Sequence, residues 1–319
     1  MDSGSYKISP AFPIKIQPKS KLTIIAAGWP QLEFLKGAET TASEKPLDYL
    51  VPDDVRPHVE GDFAVQGTAK SDMEAGGVLV LDGLLIEGRL LLREGNLSGL
   101  EMYHCTLVPD NGGISHDFLG EKAEKLNSQL EIKIDHCICG PISLPESIPS
   151  LMIMDSIIGN ISGAALTVKG TDLEMERCTT YGYVQARSLE ASDCIFTDRT
   201  FIERTQFGCV RFSYLPPGSR TARKYRCQPD MALENAASPG EEASIRARVA
   251  PAFVSGHYDH LGYGQLSQTS VDEIQMGSQD GSEMGAFSSL KNPQREDSLR
   301  SSLNEYMRLG LEAGLFRVI

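Results

Sequence analysis

The sequence predicts an all-β chain wound as a β-solenoid, and three observations carry that prediction. A six-residue pattern, apolar-x-apolar-x-x-small, recurs along most of the chain. Its apolar positions alternate with period two, which reads as strand rather than helix. The copies recur at steps near 20 residues, with Gly, Pro, Asn and Asp at the bends, the length of one solenoid coil.

In chain order, Leu22–Ala27 reads as an early copy, followed by a polar insertion around residues 38–76. Leu79–Leu84, Leu100–Cys105, Ile132–Cys137, Leu151–Ser156, Leu173–Cys178, Leu189–Cys194 and Val210–Leu215 follow. Their first residues lie 21, 32, 19, 22, 16 and 21 apart, and the long step holds an inserted loop at 109–129. The near-identical "LEMYHC" (100–105) and "LEMERC" (173–178) are then one wall of one solenoid, several coils apart. Cys105, Cys137, Ser156, Cys178 and Cys194 form a column of small residues. Seven cysteines without a CxxC fit neither a disulfide framework nor a zinc finger, so buried thiols are expected.

The regular copies stop at residue 215, so 1–215 reads as the solenoid and 216–319 as a C-terminal region. There, 235–250 reads as a polar loop. Leu299, Leu303, Met307 and Leu311 in 292–316 have helical spacing, which predicts an amphipathic helix that caps or docks on the solenoid. "DGSEMGAF" (280–287) reads as a glycine-bearing turn that helps dock this tail.

The formal charge is −13, from 43 acidic and 30 basic residues, which argues against nonspecific nucleic-acid binding. No stretch approaches the roughly 18 apolar residues of a membrane helix, so no membrane insertion is expected. The first residues lack a signal-peptide pattern, so synthesis in the cytoplasm is expected, with the final site open.

The runs "GCVRFSYLPPGSRTARKYRCQP" (208–229), "DGSEMGAF" and "PQREDSLRSSLNEYMRLGLEAGLF" (293–316) resemble an uncharacterised group of bacterial right-handed parallel β-helix proteins. "LDGLLIEG", "YHCTLVPD", "GPISLP" and "DSIIG" match the same group, so the resemblance runs from about residue 20 to the end. It implies a right-handed parallel β-helix. It also implies a context of phage-tail-like, contractile-injection-type genes, and hence protein partners of such an assembly. It supplies no catalytic residues. The chain departs from the group at "SGHYDHLGYGQL" (255–266).

The position before the small column reads Gly83, His104, His136, Asp155, Arg177, Asp193 and Tyr214. Stacked on one corner, Arg177 would lie between Asp155 and Asp193. Such a group could serve a polysaccharide-active β-helix enzyme of pectate-lyase-like kind, and it could equally be a solvated salt-bridge ladder. Arg220, Arg223, Lys224 and Arg226 crowd basic charge into an acidic chain and are candidates for binding an anionic partner or glycan. His257 and His260 could chelate a metal only with a third ligand, so no metal and no cofactor is expected. The expectation is a structural or binding protein rather than an enzyme.

Overall fold

The computed structural model describes residues 4–26, 56–70, 74–118, 125–234 and 236–307. The chain is a parallel β-helix with three strand walls per coil. Every pairing between named strands is parallel, as a coil stacking on the next coil requires.

The first wall carries the repeated hexapeptide. It comprises β3 (Lys21–Ile25), β6 (Gly77–Asp82), β9 (Leu97–Tyr103), β12 (Glu131–Asp135) and β15 (Ser150–Met154). It continues through the ends of the long strands β16 (Ile157–Glu176) and β17 (Thr179–Ser192), then β20 (Cys209–Arg211) and β21 (Arg223–Tyr225). The register is even: Leu79 pairs with Leu100, Ile132 with Leu151, Leu173 with Leu189.

The second wall runs from β1 (Ser5–Lys7) and β4 (His58–Glu60) to β18 (Ile195–Phe196). The third runs from β2 (Ile14–Ile16) and β5 (Phe63–Gly67) to β19 (Thr200–Ile202). Alternate residues of all three walls point inward, and one contiguous apolar core fills the coil, as period-two alternation demands. Leu79, Leu100, Leu151 and Leu189 stack in it, all fully buried.

Four expectations are corrected. Inside the region read as an insertion, β4 and β5 are strands of the second and third walls, and within 109–129 Ile114–His116 (β11) is a strand of the third. The rest of the 38–76 insertion before residue 56 lies outside the described residues, as do 71–73. Secondly, Ala191 pairs with Val210, so that copy begins two residues earlier than the template had it. Phe212 and Ser213 therefore take the places given to Tyr214 and Leu215. Thirdly, the solenoid does not stop at 215. Val210 pairs with Lys224, and Tyr214 bridges Gln228, so the basic run 220–226 is a further coil rather than a loop.

Fourthly, 235–250 holds a helix, α2 (Pro239–Arg248), after the short α1 (Asp230–Leu233). Ser238 caps α2 by accepting from the Glu241 N–H at 3.3 Å, with Pro at the first turn.

The C-terminal segment packs along the flank of the solenoid. Val249, Leu266, Ile274 and Met284 bury against Ile195 and Tyr214 of the second wall. Tyr263 and Ala286 bury against Ile157 and Tyr181 of the same wall. The 280–287 turn docks as expected: Gly285 N–H donates to the Asp193 carbonyl at 2.8 Å, and Ala286 N–H to Thr179 Oγ1 at 3.1 Å. A helix forms where one was expected, α4 (Asn292–Tyr306), after α3 (Asp272–Gln275), but none of its described residues is buried, so the expected apolar docking face is not seen. Its Leu299 is exposed and Leu303 half-buried, and Leu311 lies outside the described residues. Among the described residues no helix is long and apolar enough to cross a membrane.

Candidate functional site

From β6 onward each pass of the first wall ends in a residue with left-handed backbone. His104, His136, Asp155, Arg177, Asp193, Phe212 and Arg226 have φ between 43° and 57°, and Gly83 has 72°. This conformation turns the chain from the first wall to the second, and it disfavours side chains with a Cβ by about 1–2 kcal/mol each. The sheet ladder holds the turn in place, since His136 N–H donates to Met154 O at 3.1 Å and Asp155 N–H to Glu176 O at 3.0 Å. A row of side chains is thereby stacked along one corner, one per coil.

Beside the first of these corners, Asp82, the residue before Gly83, is fully buried. Its Oδ1 lies 3.3 Å from His104 Nδ1, and its Oδ2 has no partner. Burial pushes its carboxyl up, and His104 opposes that shift. The His104 and His136 rings, on adjacent coils, have centroids 5.4 Å apart. His136 Nδ1 lies 2.7 Å from Asp135 Oδ1, with Lys133 Nζ 3.7 Å from Asp135 Oδ2.

That bond to Asp135 raises the His136 imidazole pKa, helped by the charge of Asp155 and opposed by burial. Burial also pushes the Asp135 carboxyl up, but His136, Lys133 and His104 together outweigh it and hold it below its ordinary value. Lys133 also sits over the Tyr103 ring, 5.2 Å from its centroid. Burial and then the nearby Glu101 push the Tyr103 hydroxyl up to about 12.

On the next coils Arg177 grips Asp155 with two parallel bonds, Nε to Oδ1 at 2.7 Å and Nη2 to Oδ2 at 2.8 Å, and Nη1 reaches Glu176. Such fork-to-fork pairs are the strong form of ion pair. The Asp155 bond pushes the guanidinium still further up, so Arg177 is no proton acceptor.

The structure thus brings together two of the three sequence candidates, Asp155 and Arg177. Asp193, at the same corner on the coil next to Arg177, is engaged elsewhere. That carboxylate is buried, with Oδ1 accepting from Ser278 Oγ (2.7 Å) and Gln279 N–H (2.6 Å), and Oδ2 from Ser192 Oγ (2.7 Å). Asp193 anchors the C-terminal segment.

The four basic candidates do not form one patch. Arg220 lies on the third wall, where it lines a shallow cavity of about 340 Å³ with Lys169 and Phe201. Arg223 and Lys224 lie on the first wall, with Lys224 held by Asp230 at 2.9 Å, and Arg226 occupies the corner beside the Tyr225 ring.

His257 and His260 sit in a loop, where His260 Nδ1 accepts from Gly262 N–H at 3.0 Å. Among the described residues the group with metal-ligand spacing is instead Asp135, His136 and Asp155, with one donor atom from each within 4.8 Å of the others. Sequence reasoning had His136 and Asp155 in the column but missed Asp135. The available signal was its place immediately before the left-handed residue.

Comparison with protein-family models, with curated proteins and with solved structures finds no match to this chain.

Proposed function

We propose that this chain is a structural or binding β-helix, an accessory of a phage-tail-like assembly, engaging protein partners or a glycan along its side. The observation that carries this reading is the fate of Asp193. The charged trio that a pectate-lyase-like enzyme would need is split, because Asp193 is spent on holding the C-terminal segment. Arg177 is likewise committed to Asp155 and Glu176. What remains is a rod braced along one corner and along one flank, and extended solenoid surfaces of this kind suit binding.

The test is affinity purification of the tagged protein from its native lysate, read by mass spectrometry. Recovery of tube, sheath or baseplate-like proteins supports the reading; a clean preparation with none of them sinks the assembly role.

A polysaccharide-active reading stands second. It rests on Asp135 and Asp155, which offer carboxylate oxygens within 4.8 Å of each other on adjacent coils. Depolymerisation of a bacterial polysaccharide by the wild type and not by Asp155→Asn would establish it in place of the first.

A further inference from the structure

We propose that Asp135, His136 and Asp155 bind a divalent transition-metal ion, of the Zn²⁺ class, that ties two neighbouring coils of the solenoid together. Asp135 and His136 come from one coil and Asp155 from the next, since Asp135 pairs with Met154 in the wall. Their donor atoms already lie within 4.8 Å of one another. One imidazole and two carboxylates form a donor set suited to Zn²⁺ and its neighbours rather than to the all-oxygen cages of Ca²⁺.

His136 Nδ1 and Asp135 Oδ1 lie 2.7 Å apart, close to the separation of two neighbouring ligands on one ion, so an ion binding here replaces the hydrogen bond between them. His136 is exposed, so an ion can enter from solvent.

Arg177 works against the ion by repulsion but does not exhaust Asp155. Its fork uses two lone-pair sites of a carboxylate that offers about four. Removing that guanidinium charge therefore strengthens binding.

The experiment titrates chelator-treated full-length protein with Zn²⁺ by calorimetry, with Ca²⁺ in parallel, and follows thermal unfolding with and without Zn²⁺. The expected result is one Zn²⁺ per chain and a higher midpoint with the ion present. His136→Ala and Asp135→Asn each weaken binding at least about tenfold, the least that losing even an orienting partner costs, and Arg177→Gln tightens it. The double variant His257→Ala/His260→Ala binds as the wild type does.

No saturable Zn²⁺ binding by the wild type overturns the proposal. So does binding that survives His136→Ala, binding lost in the His257/His260 variant, or Ca²⁺ binding as tightly as Zn²⁺. Because Asp155→Asn also breaks the Arg177 pair, the exposed His136 carries the test.

Discussion

The backbone N–H of Cys137 donates to Ser156 Oγ at 2.9 Å, and that hydroxyl donates in turn to the Met154 carbonyl at 2.5 Å. The same relation recurs where Cys105 N–H reaches Cys137 Sγ at 3.3 Å and Cys194 N–H reaches Ser213 Oγ at 3.0 Å. The left-handed corner interrupts the regular ladder just here, and a buried amide needs an acceptor. The small column is therefore built from Cys and Ser because it needs a short side chain that both accepts and donates. Ser156→Ala leaves the Cys137 amide unpaired and is expected to cost about 1–3 kcal/mol of stability, whereas Ser156→Cys retains most of it. Urea unfolding of the three proteins decides; equal stability of the alanine variant would reduce the column to simple packing.

Asp193 is the joint between solenoid and C-terminal segment. Replacing it with Ala strips the acceptor from Ser278 Oγ and the Gln279 amide, both drawn into a buried site. Amide hydrogen exchange should rise across 253–290 while the amides of β12 and β15 keep their protection, and proteolysis between 235 and 250 should quicken. The buried donors left behind set the scale at about 1–3 kcal/mol each. Loss of protection throughout the solenoid would instead make Asp193 a determinant of the whole fold.

The solenoid was legible because its physics is periodic. Leu100 and Leu173 must face inward at every coil, so their spacing is written in the residues. The boundary at 215 was not, because Val210 and Lys224 continue the wall with a basic run whose apolar partners shrink to Ala222 and Cys227. Nothing in the alternation marks that coil. The α2 helix was missed although Ser238, Pro239 and Glu241 spell a cap, a signal outweighed by the polar composition around it. Of the site, the corner row could be read from one column of letters, since each member sits at the same offset. The engagement of the Asp193 carboxylate could not, since it depends on Ser278 and Gln279, far along the chain.

The thiols give a simple check on register. Cys105, Cys137, Cys139, Cys178, Cys194 and Cys227 are buried, and Cys209, in β20 of the first wall, is half-buried. Burial pushes the thiols of Cys137, Cys139, Cys178 and Cys227 up, away from the reactive thiolate. A chromogenic disulfide reagent at pH 8 should therefore modify Cys209 rapidly and the other six only on unfolding in guanidinium. Cys209→Ser should abolish the rapid phase. Rapid modification of several cysteines in the native protein would contradict the inward column.

Asp82 predicts a pH dependence of opposite sign to that of an ordinary surface ion pair. Its carboxyl is raised above the usual 3.8 by burial, with His104 opposing and Tyr103 alongside on the next coil. An acid raised in the folded state favours folding when protonated. That contribution is complete below the unfolded value near 3.8 and is lost as pH rises through the folded value. Above the folded value the ionised Asp82 is therefore a liability, with Oδ2 buried and unpaired. Asp82→Asn keeps the shape and removes the charge, so it should raise the thermal midpoint at pH 7. The gain should shrink toward zero below about pH 4, where both side chains are neutral in folded and unfolded chains alike. Thermal scans of the two proteins from pH 3.5 to 8 test this directly. A lower midpoint for the Asn variant at pH 7 would mean that the ionised carboxylate is stabilised by His104 more than burial penalises it.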